Sequence, residues 1–177
     1  MVSTAVTLHA PSWSVPSAPG QRRVLPGNFA RAGEIVRYFG SVVAPFPYEK
    51  LAHLQSATRF GGMENATAIF YSDRPFRGSG VSEELIAHET AHQWFGDAVT
   101  QREWPHLWLS EGFATYFAAL WTQRAQGDSA FRARMSRIRT TILEDTNAVT
   151  NRAVIDTVTT NLLEASKNSL TSLRKRA

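Results

Sequence analysis

Within "FARAGEIVRYFGSVV" the apolar residues Ile35, Val36, Phe39 and Val42 recur at the spacing of one helical face, which predicts a helix packed on a core. "APFPYEKL" reads as a turn. "LAHLQSATRF" then reads as a short extended segment, and "ATAIFYS" (66–72), rich in β-branched and aromatic residues, as a second strand. The two flank "GGMEN". After a turn at "SDRPFRGSG", the segment "VSEELIAHETAHQWFG" opens with Ser82 as a cap and Glu83 and Glu84 in the first turn, and it closes at Gly96. A second helix, "HLWLSEGFATYFAALWTQRAQG", closes at Gly127, and Asp128 or Ser129 caps a third, "AFRARMSRIRTTILED". No internal repeat is visible. The order predicts an α+β fold with helices on one face of a small, mainly antiparallel sheet.

The ends of the chain differ in pattern. Pro11, Pro16, Pro19 and Pro26 interrupt the first 28 residues, which read as a Pro/Ser-rich arm. The last third, beginning "TNAVTNRAV", is polar and weakly patterned. At 177 residues with 43% apolar content, the chain suits one domain with a real core. It has no cysteine, so any metal must be held by histidine and carboxylate. No apolar stretch approaches the roughly 20 residues of a membrane span. The opening "MVSTAVTLHAPSW" lacks the charged start of a secretory signal. That favours the cytoplasm if Met1 is the natural start. The net charge of +4 is concentrated at Arg132–Arg139 and Arg174–Arg176, which read as a solvated helix face and a basic tail. Nucleic-acid binding would need interleaved aromatics, and only Phe131 is nearby.

The chemistry lies in "HETAHQWFGD". On a helix His88 and His92 share a face, so each can aim a ring nitrogen at one ion. Glu89 lies about one hundred degrees round, where it can reach a water without being a ligand. Catalytic zinc takes three protein ligands, and Glu111 on the following helix is the best candidate for the third. His106, His9 and His53 are weaker alternatives. Large aromatics dominate cores, so Trp94, Phe95, Trp104, Trp108, Phe113, Tyr116 and Phe117 are expected around the two helices. Asp97 is a candidate for orienting a ligand histidine.

"FGGMENATAIFY" and "LIAHETAHQWFGDAVTQREWPHLWLSEGFATYF" closely resemble the gluzincin zinc aminopeptidases, the family of aminopeptidase N and leukotriene hydrolase. The family pattern of His-Glu-x-x-His, eighteen residues and Glu is met by His88, Glu89, His92 and Glu111. The likeness extends over roughly residues 30–165. It implies a thermolysin-like catalytic domain over 29–177, incomplete at its C-terminal end, with 1–28 either an arm or a remnant of the β-rich domain that precedes it in the family. It also implies one Zn2+ per chain on His88, His92 and Glu111, with Glu89 acting on the zinc-bound water. "GGMEN" resembles the family's exopeptidase signature. Glu64 would then bind the free α-ammonium of a peptide substrate, with Gly61, Gly62, Met63 and Asn65 lining its path. Family members also use a downstream tyrosine as oxyanion donor, and none of Tyr38, Tyr48, Tyr71 and Tyr116 stands in that region. Two functions follow: a metallo-aminopeptidase, or a zinc-binding fragment of one with little turnover.

Overall fold

The structure, a computed structural model, describes residues 29–57, 60–76 and 78–144. The arm at 1–28 and the polar segment from 145 onward lie outside the described residues. Helix α1 (Ala32–Val42) buries Ile35, Val36 and Phe39, as its apolar stripe predicts. Val42, at the end of that stripe, is instead exposed, because the helix stops there and the chain turns away into "APFPYEKL".

Three strands follow: β1 (Ala52–Ser56), β2 (Gly62–Met63) and β3 (Ala68–Ser72). Their order is β1-β3-β2. β1 runs parallel to β3, with Ala52 opposite Ala68 and Ser56 opposite Ser72. β2 runs antiparallel to β3, with Gly62 opposite Tyr71 and Met63 opposite Phe70. The sheet is therefore mixed and not mainly antiparallel, and its longer pairing is the parallel one. The cause is local: "GGMEN" is no simple turn, because its Gly62 and Met63 form a return strand. A chain that reverses twice between β1 and β3 brings them out in the same direction. A two-residue strand carries no periodicity, so the pattern of apolar positions could not reveal it.

A four-residue helix α2 (Asp73–Phe76) leads to α3 (Glu83–Ala91), α4 (Leu107–Gln126) and α5 (Asp128–Glu144). α3 ends at Ala91, short of Gly96. From there the chain tightens into a turn closed by Asp97 N–H to His92 O (3.1 Å) and Val99 N–H to Trp94 O (3.0 Å). α3 packs on α4, α4 on α5, and α1 against both α3 and α4. The core joins Ile35 and Phe39 of α1 to Ile69 and Tyr71 of β3, Ile86 of α3 and Trp121 of α4. Phe39 meets Trp94 and Phe117 edge-on, with centroids 6.1 and 5.7 Å apart, the geometry that aligns ring edge with ring face. Trp94 also satisfies its indole N–H on Ala44 O at 2.8 Å.

Three of the aromatics expected in the core lie at the surface. Trp104 is 56% exposed, Tyr116 45% and Phe113 39%. On α4 the buried face is taken by Ala114, Ala118 and Trp121, and the helical period turns Phe113 and Tyr116 away from it. No helix among the described residues is long and apolar enough to cross a membrane.

Candidate active site

α3 is pinned at its start. Ser82 Oγ accepts the Leu85 N–H at 3.2 Å, a cap that satisfies one of the orphan donors of the first turn. Glu83 takes the Trp121 indole N–H at 2.8 Å and the Arg31 guanidinium at 3.0 Å, tying α3 to α4 and to the residue before α1. The other end is unusual in its burial. His88, Glu89, Thr90, His92 and Gln93 are all buried. Burying polar groups costs free energy unless each is paired, so this cluster has to be explained by what its members hold.

His88 and His92 turn their Nε2 atoms to within 3.0 Å of each other. Glu111, one turn into α4, brings Oε2 to 3.2 Å from His88 Nε2 and 3.7 Å from His92 Nε2. A tetrahedron with ligand bonds of about 2.05 Å has edges of about 3.3 Å, so the three atoms already sit at the spacing of a zinc ligand set. No hydrogen bond of good geometry reaches the buried Glu111 Oε2, and a cation would satisfy it. The donor set of two imidazoles and a carboxylate fits zinc. Among the described residues, neither His53 nor His106 joins a metal-capable group. His53 is committed elsewhere, its Nδ1 2.9 Å from the Tyr71 hydroxyl.

The surroundings fix the rings. His92 Nδ1 lies 3.0 Å from Phe95 O. Donation to that carbonyl leaves the Nε2 lone pair directed at the site. Ser110, the residue before Glu111, stands 3.1 Å from the same Nδ1 and donates to Phe95 O at 3.2 Å. Gly96, at φ +129°, passes so close that a Cβ there would lie 2.6 Å from Ser110 Oγ. Thr115 Oγ1 lies 3.5 Å from His88 Nδ1. Burial alone would depress His92, but Glu111 and Glu64 outweigh it and push its pKa up to about 9. Burial likewise favours a neutral Glu111, but His88 and His92 outweigh it and hold the carboxyl well below the usual range. With no cation present, a proton on His92 balances the Glu111 carboxylate; a metal ion would take that proton's place on neutral rings.

Glu89 is fully buried beside this set. Oxygens of Glu89 and Glu64 and a nitrogen of His92 lie within 4.8 Å of one another, so the "GGMEN" segment meets the end of α3 at the site. Gly62 is why it can. A Cβ at Gly62 would stand 2.7 Å from Glu89 Cγ and nearer still to the carboxyl group. The contact is to Glu89, and only glycine leaves room for it. Gly61 and Asn65 are exposed, while Met63 and Glu64 are half-buried.

Sequence reading missed Gln93, Ser110, Gly96 and Thr115. Gln93 accepts the Thr67 N–H (2.8 Å) and donates to Glu64 O (3.1 Å) and Asp97 Oδ2 (2.8 Å). Thr67 holds φ +68°, a left-handed conformation that costs a β-branched residue about 1–3 kcal/mol unless its surroundings enforce it. Asp97 does not orient His92: its carboxyl oxygen accepts from Gln93 Nε2, and His92 Nδ1 faces Phe95 O and Ser110 Oγ. Burial and the nearby Glu64 raise the Asp97 pKa to about 7, against the opposing pull of His92. No local signal flags Gln93 or Ser110, because their roles depend on which groups the fold brings to face them.

Residues 31–168 match the Peptidase family M1 domain. The chain is 35% identical over 117 residues to "Probable aminopeptidase 2" of Sulfurisphaera tokodaii, covering 59% of this chain and 15% of that protein. It is 34% identical over 110 residues to human "Glutamyl aminopeptidase", covering 56% and 12%. In three dimensions it is similar to an M1 zinc metallopeptidase from Deinococcus radiodurans bound to a Tyr-Ser-Ala substrate. There the TM-score is 0.60 at 27% identity, over 71% of this chain and 28% of that one. The chain spans about an eighth to a quarter of the length of these relatives. The match and the His/Glu/His/Glu geometry lead to one assignment: the chain belongs to peptidase family M1, whose solved relatives are zinc metallopeptidases.

Proposed function

We propose that this chain carries the catalytic centre of a zinc aminopeptidase, which removes residues from the free N-terminus of peptides. The observation that supports it best is the convergence of His88, His92 and Glu111 beside the carboxylates of Glu89 and Glu64 in one corner of the fold. His88, His92 and Glu111 would hold one zinc, leaving the fourth position of a catalytic site open. Bound zinc supplies Lewis-acid polarisation and brings the pKa of water down to about 7.

The protein's own groups do the rest. Glu89 takes the proton of the attacking water on its carboxylate and returns it to the leaving amine. Glu64 pairs with the substrate α-ammonium and limits cleavage to the first residue. β2 is an edge strand, so Gly62 and Met63 can run beside an extended peptide, with Gly61 and Asn65 at either end.

A second reading has its own support. The chain spans 12–15% of its curated relatives, and Tyr71 is buried against His53. An oxyanion donor is worth about 100- to 1000-fold in rate, so a protein in which none reaches the site would bind zinc with little turnover.

Three measurements separate these readings. Purified protein at saturating zinc is expected to hold one ion, lost in Glu111→Ala and His92→Ala; absence of zinc in the unaltered chain overturns the ligand assignment. An aminoacyl chromogenic substrate with and without chelator then tests turnover. Glu89→Gln is expected to keep zinc while hydrolysis falls about 100- to 10,000-fold. Unchanged hydrolysis in that variant would remove Glu89 from the mechanism.

A further inference from the structure

Gln93 uses its whole side-chain amide at the junction between the metal helix and the "GGMEN" segment. It follows His92 directly and is fully buried. Its Oε1 accepts the Thr67 N–H at 2.8 Å. Its Nε2 donates to Glu64 O at 3.1 Å, to Asp97 Oδ2 at 2.8 Å and, more weakly, to Asn65 O at 3.4 Å. One donor and three acceptors fix which way the amide faces, since the reverse orientation would set its oxygen against three oxygens.

The segment it grips has little else to define it. β2 is two residues long. The turn after it is closed by the Ala68 N–H on Asn65 O at 2.9 Å, with Thr67 at φ +68° in its third position. Glycine or asparagine is usual at such a position. Thr67 is held there by the Gln93 oxygen. The backbone of Glu64 is therefore located from the residue adjoining a metal-ligand candidate, by a side chain that is not itself one of those candidates.

We propose that Gln93 is a positioning residue that sets the separation between the Glu64 carboxylate and the metal centre, and so fixes the register in which a free amino terminus is read. This rests on the aminopeptidase reading. A Glu64 that drifts still leaves zinc bound and Glu89 in place; what it loses is preference for a free amine over a blocked one.

The test uses the full chain and two inhibitory ligands, a dipeptide hydroxamate with a free α-amine and its N-acetyl counterpart. Affinities are read by calorimetry, so the outcome does not depend on turnover. In Gln93→Leu, zinc content is expected to remain at one per chain, while preference for the free-amine ligand falls about tenfold or more. KM for an aminoacyl substrate is expected to rise more than kcat falls. Gln93→Glu/Asp97→Asn restores a hydrogen bond between these two positions but not those to Glu64 O and Asn65 O, and it is expected to stay as unselective as Gln93→Leu. That variant also keeps an oxygen for the Thr67 N–H, so selectivity regained there would mean that the bonds to Glu64 O and Asn65 O do not locate the segment, and the assignment fails. If Gln93→Leu does not fold, the same comparison is made in a Thr67→Gly background, where glycine takes the positive φ without strain. Unchanged selectivity in the Gln93 variants, with the unaltered chain selective, overturns the inference alone. An unaltered chain that binds zinc but does not prefer the free amine overturns the aminopeptidase reading first.

Discussion

At the scale of single residues, the absence of a side chain at Gly62 matters as much as any functional group. Glu89 is fully buried and Gly62 lies against its carboxyl, so a methyl group there must displace either the β2 backbone or the Glu89 carboxylate from its place. The position of that carboxylate is fixed by packing. A misplacement of about 1 Å can cost about 100-fold in rate. Gly62→Ala is therefore expected to lower kcat about 100-fold with zinc still bound, because the atoms nearest the added methyl belong to Glu89 and not to a zinc-ligand candidate. Kinetics beside metal analysis checks this, and full activity would show that the close approach is incidental. At this scale the sequence was most readable for the ligand-type residues. His88, Glu89, His92 and Glu111 follow from helical periodicity and zinc's need for a third donor, and the fold brings them together. Gln93 and Ser110 were not readable, because their role depends on which backbone groups happen to face them.

At the scale of elements, the helices were legible to within a few residues and the sheet was not. Ser82, Gly127 and the apolar stripe of α1 are local signals and mark boundaries well. The parallel pairing of β1 with β3 depends on a two-residue strand between them, which leaves no local trace. That pairing carries a testable consequence. It places His53 of β1 opposite Ile69, stacked on Tyr71 at 5.8 Å and beside Phe29 at 5.1 Å. Burial there lowers the His53 pKa to about 4. The folded state thus keeps His53 neutral where the unfolded chain, near 6.5, takes a proton. The stabilisation is complete above pH 6.5, falls as pH drops toward about 4, and is then constant. By linkage its size is about 3 kcal/mol. Urea unfolding between pH 7.5 and 4 is expected to show this loss in the unaltered chain and its reduction in His53→Phe. Metal-site protonation cancels in the difference, since both proteins keep the same ligands. Equal pH slopes would exclude His53 as the source.

At the scale of the whole molecule, the site adds a polar link at the buried end of the α3–α4 packing and draws in the strand segment. Glu111 reaches the histidines from α4, and Glu64 arrives from the strand segment, so a metal on these ligands would cross-link α3 to α4 at the buried end of both. A ligand that binds only the folded state stabilises it by RT ln(1 + [L]/Kd), or about 4 kcal/mol at a thousandfold excess over Kd. For a chain of this size each kcal/mol moves the thermal midpoint about 2–4 °C. Chelation is therefore expected to lower Tm by about 10 °C, and re-addition of zinc to restore it. His92→Ala and Glu111→Ala should show the same Tm with and without chelator. Gln93→Leu should keep the zinc-dependent difference, because it alters the amine-binding segment and not the ligands. Scanning calorimetry on these four proteins distinguishes a metal that is part of the fold's cohesion from one that merely visits its surface. A Tm indifferent to chelator in the unaltered chain would contradict a buried three-ligand site.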